Sequence, residues 1–113
     1  MKVQNLEVSK IAGIVSRLLE KWELNETQKA TLIGELTSSE VHVRLSLLLN
    51  IHEELRLIFN NRQNIYGYMT MINHNDPFYG TRPIDLACKN LEGLQLTYNA
   101  ICSIANIANQ HSA

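Results

Sequence analysis

Chemistry in this chain would have to start from its histidines, acids and cysteines, and their spacing keeps them apart. His42 and His52 fall in one stretch of helical periodicity. At about 100° per residue they diverge by roughly 80° and lie on different turns, so they cannot share a metal. His74 and Asp76 sit in a segment rich in Pro and Gly. A metal or acid–base role is open to them, but no second ligand pair lies nearby in sequence, and polar work in a turn is the favoured reading. Glu53 and Glu54 are adjacent and diverge on a helix, so they are not a carboxylate pair. Cys88 and Cys102 lack zinc spacing. Cys88 has no activating base near it in sequence and reads as a small buried thiol. Gly34, Gly67, Gly80 and Gly93 are isolated, which excludes a glycine-rich phosphate loop. No catalytic constellation emerges, so the expectation is a protein that is not an enzyme and carries neither metal nor cofactor.

Two charge patterns remain. Lys10, Arg17 and Lys21 recur at i, i+7 and i+11 beside an apolar helix face. Contact with DNA phosphates is one reading. Solvated stems flanking a core helix are the other, and it is favoured. Net charge is −1, with 7 basic and 8 acidic side chains in the first 60 residues and 3 of each in the last 53. That is not the strongly basic profile of a domain that binds nucleic acid unaided. After Lys89 there is no Lys or Arg, and the only acid is Glu92. A face so poor in charge is either covered by another chain or packed on its own bundle.

The elements that hold these residues read as all-α. Ile11, Ile14, Val15, Leu18, Leu19 and Trp22 follow the period of one helix face, predicting a helix from about residue 5 to Trp22. Asn25 and Gln28 have capping-box spacing and open a short second helix to about Gly34. Ser38 or Ser39 can cap a third, running to about Phe59. It carries Val41, Leu45, Leu48, Leu55 and Ile58, with Val43, Leu47 and Ile51 beside them. So wide a stripe predicts a central helix touched on two sides, or one that also serves a partner. Asn60 or Asn61 starts a fourth helix to about Met71. A short helix covers about Arg82 to Lys89, ended by Asn90 in the left-handed conformation. The last runs from about Leu91 to Ile107, leaving a tail, Ala108 to Ala113.

Between the fourth and fifth helices lies the most specified stretch, Asn73 to Leu86. Pro77, Gly80 and Pro83 recur every third residue and cannot lie inside a helix. They predict an ordered turn with Phe78 and Tyr79 at its tip. Thr81 then caps the next helix, and Pro83 is tolerated in its first turn. Asn73 can bond backbone groups and Gly80 permits positive φ.

A chain of 113 residues is one domain. With 45% hydrophobic residues and a mean hydropathy of −0.12, disorder is excluded. The apolar run Leu47 to Leu49 falls far short of a membrane span. No basic-then-apolar leader opens the sequence, so a cytoplasmic location is expected. The segment 1–60 forms an N-terminal, helix-turn-helix-like part and 61–113 a second part of the same continuous domain.

Taken together, these residues resemble antitoxins carrying the Xre/MbcA/ParS-type toxin-binding domain, the partners of RES-domain toxins. The resemblance spans about Ile11 to Ile104. Trp22-Glu23-Leu24 and Ala30-Thr31-Leu32-Ile33-Gly34 match the end of the family's first helix and its short second one. Arg44-Leu45-Ser46-Leu47-Leu48 and Leu55-Arg56-Leu57-Ile58-Phe59 match a Leu-rich helix ending in Leu-Phe. Tyr68, Asn73, Phe78, Gly80, Pro83, Ile84, Asp85 and Leu86 follow with matching spacing. Tyr68 stands where the family usually has Trp, Tyr79 where it has a second Gly, and Asn90 where a helix-ending Gly is common. The family's basic residues in the last helix are missing. The resemblance implies a homodimeric antitoxin that binds a RES-type, NAD-consuming toxin and blocks its active site with its C-terminal helix and tail. It implies a toxin-facing surface of Phe78, Tyr79, Arg82, Asp85, Tyr98, Gln110 and His111. A second expectation is a DNA-binding regulator that dimerises through this domain and contacts operator DNA through Lys10, Arg17 and Lys21.

Overall fold

Capping and packing, more than propensity, decide where these helices begin and end. The structure is a computed structural model that describes the backbone of residues 2–112 and the side chains of residues 7–107. Among the described residues there are six helices and no strand: α1 (Lys2–Lys21), α2 (Glu26–Ile33), α3 (Val41–Ile58), α4 (Arg62–Gly67), α5 (Pro83–Ala87) and α6 (Leu91–Ser112). A 3-10 turn, Tyr68–Thr70, continues α4. The chain is therefore an all-α domain, as its periodicity predicts.

α1 ends because Glu23 takes a left-handed conformation, φ 63°. The Leu24 and Glu23 N–H groups then donate back to the Leu19 and Glu20 carbonyls, at 3.2 and 2.9 Å. The expected capping box opens α2: the Gln28 N–H donates to Asn25 Oδ1 (2.8 Å) and the Asn25 N–H to Gln28 Oε1 (2.9 Å). Lys29 ties α2 to α1, its ammonium 2.8 Å from Glu26 and 3.1 Å from Glu20. Hydrogen bonding to Glu26, more than to Glu20, raises its pKa against the lowering effect of burial. The expected serine cap of α3 is not what forms. Glu40 occupies the cap position, Ser38 Oγ accepts the Glu40 N–H (3.1 Å), and the Glu40 carboxylate is spent on Arg44 (3.0 Å). Arg44 also donates to the Leu32 carbonyl at 3.3 Å, holding the C-terminus of α2, where a cation opposes the helix dipole. Residues 34–40 join α2 to α3, a longer connection than the roughly three- or four-residue turn of a helix-turn-helix.

The broad stripe on α3 is explained by its neighbours: α3 packs against α1, α2, α4 and α6. One hydrophobic cluster runs through the whole domain, from Val8 on α1 to Ile101 on α6, with Trp22, Leu48, Ile51 and Leu55 fully enclosed. The phase of α1 departs from expectation. Val8, Ala12, Val15, Leu18, Leu19 and Trp22 are buried, whereas Ile11 and Ile14 lie outside the core, Ile14 at 51% exposure.

Past the loop, two expected caps do not form. Thr81 does not cap α5. Its hydroxyl donates to the Phe78 carbonyl (2.7 Å), and Arg82 holds the cap position. Asn90 is not left-handed either, since the positive-φ residues other than Gly are Glu23 and Tyr79. Instead Asn90 Oδ1 accepts the Gly93 N–H (2.7 Å) and starts α6. That helix continues to Ser112, so most of the segment expected as a tail is helical backbone.

Candidate functional site

The loop between the 3-10 turn and α5 is closed by its own backbone. Asn73 and Thr81 form an isolated antiparallel bridge, with the Asn73 N–H donating to the Thr81 carbonyl at 2.9 Å and the Gly80 N–H to the Asn73 carbonyl at 2.8 Å. The Asn73 side chain works at both ends. Its Oδ1 accepts the Asn75 N–H (2.9 Å) and its Nδ2 donates to the Tyr68 hydroxyl (3.1 Å). Gly80 has φ 90°, a conformation that a side chain would strain. Tyr79 is left-handed as well, φ 49°.

The two aromatic residues expected at the tip have opposite fates. Phe78 is 3% exposed and turned under the loop, while Tyr79 is 72% exposed. Phe78 therefore acts as a wall and Tyr79 as a projecting contact. Asp76, as a hydrogen-bond acceptor for the Tyr79 hydroxyl, raises the Tyr79 pKa. Burial raises the Tyr68 pKa, partly opposed by the bond from Asn73.

Beneath the loop a cleft of about 380 Å³ runs along α6, between Tyr68, Asn73 and Phe78 on one side and Leu96, Ala100 and Ile107 on the other. A second cleft, between Phe59, Met71 and Ile72, shares Tyr68 and Asn73 with it. The two form one groove. Ile72 (64% exposed), Leu96 (42%) and Ile107 (54%) stand along it. Its lining holds one ionisable carboxylate, Asp76, and no Lys or Arg.

The other expected contact residues divide. Arg82 and Asp85 pair with each other, guanidinium to carboxylate at 3.1 Å, and Asp85 Oδ2 also accepts the Arg82 N–H at 3.3 Å. They brace the start of α5 and remain half exposed. Tyr98 lies on the opposite flank of α6, half-buried against the core and outside the groove lining. Its neighbour Cys102 raises its pKa by hydrogen bonding. Burial is the main cause raising the Cys88 pKa, which works against a reactive thiolate there. Gln110 and His111 lie outside the described side chains. Among the described residues no three His, Cys, Asp or Glu side chains cluster to hold a metal, and no helix is long and apolar enough to cross a membrane.

A second face, on α1, α3 and α4, gathers cations. Arg17, Lys21, His52 and Tyr66 line one cleft with Ile14, Leu18 and Leu49. The Tyr66 ring stacks on His52, centroids 5.7 Å apart, and has Lys21 Nζ at 5.7 Å and Arg62 Cζ at 5.8 Å from its centre. Desolvation lowers the His52 pKa, with Arg56 next in effect.

No family model matches this chain, and neither does any curated protein or solved structure.

The site therefore rests on geometry. Sequence reasoning placed Arg17 and Lys21 on one stripe, and the fold adds Arg56, Arg62 and Tyr66, which no spacing could connect because they come from other helices. Lys10, two turns before Arg17 on α1, is exposed but does not line that cleft. Leu96 and Ile107 read in the sequence as part of the apolar set of the last helix, and nothing there marked them, or Ile72, as exposed.

Proposed function

We propose that this chain is the antitoxin of a type II toxin–antitoxin pair, a homodimer that binds a RES-type, NAD-consuming toxin and blocks its active site. The observation that carries the reading is the largely apolar, cation-free groove between the 73–81 loop and α6, with Ile72, Leu96 and Ile107 exposed along it and Tyr79 projecting from the loop beside it. An apolar face edged by a rigid loop suits a protein partner better than a small polar substrate. The ordered set of residues shared with the antitoxin family, from Trp22 to Leu86, supplies the partner's identity. Inhibition is then occlusion: α6 docks across the toxin's cleft and excludes the dinucleotide. Tyr79 and the outward faces of Arg82 and Asp85 provide the contacts at the loop, while Phe78 fixes its shape.

The test is co-expression with the RES-domain protein encoded beside it, followed by size exclusion and an NAD-consumption assay. A stable complex with suppressed NAD loss supports the reading. Leu96→Glu with Ile107→Glu should weaken that complex by at least about 100-fold, since central apolar contacts carry roughly 1–2 kcal/mol each and a buried unpaired carboxylate adds to the loss. Deleting residues 108–113 should release the toxin's activity. No complex and no rescue sinks the proposal.

A second reading, an operon regulator that contacts DNA, draws on a separate observation. Lys10, Arg17 and Lys21 lie exposed on α1, with no carboxylate within ion-pair distance among the described residues. Reversing the three charges should abolish DNA binding and leave toxin neutralisation intact.

A further inference from the structure

Among the described residues, Lys29, Arg44 and Arg82 each hold a carboxylate at 3.1 Å or less. Lys10, Arg17, Lys21, Arg56, Arg62 and Lys89 hold none, although all six are exposed. Of these six, Arg17, Lys21, Arg56 and Arg62 share one face. Arg17 and Lys21 line a cleft with His52 and Tyr66. Lys21 and Arg62 stand at the Tyr66 ring, and Arg56 lies one turn beyond His52 on α3. Nδ1 of His52 is itself buried without a hydrogen-bond partner.

We propose that this face, formed by the C-terminal halves of α1 and α3 and the start of α4, binds the phosphodiester backbone of a nucleic acid through Arg17, Lys21, Arg56 and Arg62. The inference rests on the regulator reading and gives it a site different from the α1 stripe: Lys10 drops out, and two arginines from other helices enter. Like charges gathered on one face repel one another, so a ligand with closely spaced anions gains most by meeting them together. Duplex DNA carries one charge per roughly 1.7 Å of axis. The Tyr66 ring is occupied by His52 and is not free to stack a base, so the contact is to phosphates and carries no sequence information. Glu53 beside His52 and Glu23 beside Lys21 are acids at the face, while Glu20, next to Lys21 on α1, is held by Lys29; they limit affinity without neutralising four cations.

The experiment is fluorescence anisotropy with a labelled 20-base-pair duplex, titrated at two salt concentrations. For about four phosphate contacts, affinity should fall roughly 150-fold between about 50 and 200 mM salt; for about two it should fall roughly 12-fold. The wild-type chain should show the first value. Arg17→Gln with Lys21→Gln, and separately Arg56→Gln with Arg62→Gln, should each show the second, with unchanged helicity by circular dichroism. Lys89→Gln, a remote exposed cation, should behave as wild type. Duplex binding with an undiminished salt slope in both double variants would overturn the site while keeping the regulator reading. No wild-type binding at the lower salt would overturn both. Displacement of the duplex by equal charge equivalents of poly-glutamate would show an acidic-protein face instead and overturn the assignment.

Discussion

The groove and the cationic face lie on either side of one short segment and are built on opposite principles. Tyr66 belongs to the cationic face and Tyr68, two residues on, floors the groove. Two helical residues separated by two positions point roughly 200° apart, so α4 and its 3-10 turn form a partition with an aromatic ring on each side. All of the groove's lining comes from residues 59–107, and it has no cation. The cationic face is assembled from α1, α3 and α4 and keeps its charges unpaired. A chain with net charge −1 thus presents one surface suited to an apolar partner and another suited to a polyanion. Net charge describes neither.

The comparison breaks most severely where both faces share support. Trp22 is fully enclosed by the central cluster. Trp22→Ala should cost about 3–5 kcal/mol, a large share of the stability of a small domain, and abolish both faces together. Urea denaturation with the two binding assays would check this. Survival of either activity at full strength would show that the faces do not depend on one core. Trp22→Phe should be much milder, because the indole N–H is buried without a partner and its loss strands nothing.

A smaller change should separate the faces. Gly93 lies where α6 begins against α5, and a methyl group there would collide with the Leu86 carbonyl oxygen. Gly93→Ala should cost about 1–3 kcal/mol through overpacking and move α6 relative to the loop. Protein-partner binding should drop while duplex binding holds. Equal loss of both would mean that the displacement travels through α3.

The helices were legible because their signals are local. Apolar periodicity gave α1, α3 and α6, and the capping box at Asn25 was readable as a spacing. What failed was choice among competing caps. Ser38, Glu40, Thr81, Arg82 and Asn90 can all satisfy backbone groups, and tertiary partners decide which do: Glu40 is drawn to Arg44, and Asn90 turns forward to Gly93. The apolar face of α1 was read too wide because Ile11 and Ile14 border the core stripe yet lie outside it. The loop's Pro and Gly marked a turn correctly, but opposite fates for adjacent Phe78 and Tyr79 depend on a left-handed residue that only Gly announces reliably. The cationic face was half visible, as one helix's stripe, and its other half needed the fold.

Glu23 offers the finest adjustment, because one residue affects both stability and charge contrast. It ends α1 in a left-handed conformation that costs a side-chain-bearing residue about 1 kcal/mol. It also places a carboxylate in the small cleft with Lys21 and Tyr66. Glu23→Gly should relieve the strain and raise stability by about 0.5–1 kcal/mol, the flexibility of glycine in the unfolded chain offsetting part of the gain. It should also strengthen duplex binding about two-fold by unmasking Lys21, and leave the groove untouched. Glu23→Gln divides the two effects, since it removes the charge and keeps the strain: binding should rise as in the glycine variant while the urea midpoint stays put. If Glu23→Gly lowered the midpoint, the Glu23 side chain would be supporting the fold. If neither variant altered duplex affinity, the carboxylate would lie outside the ligand's field, and the cationic face would be narrower than its four charges suggest.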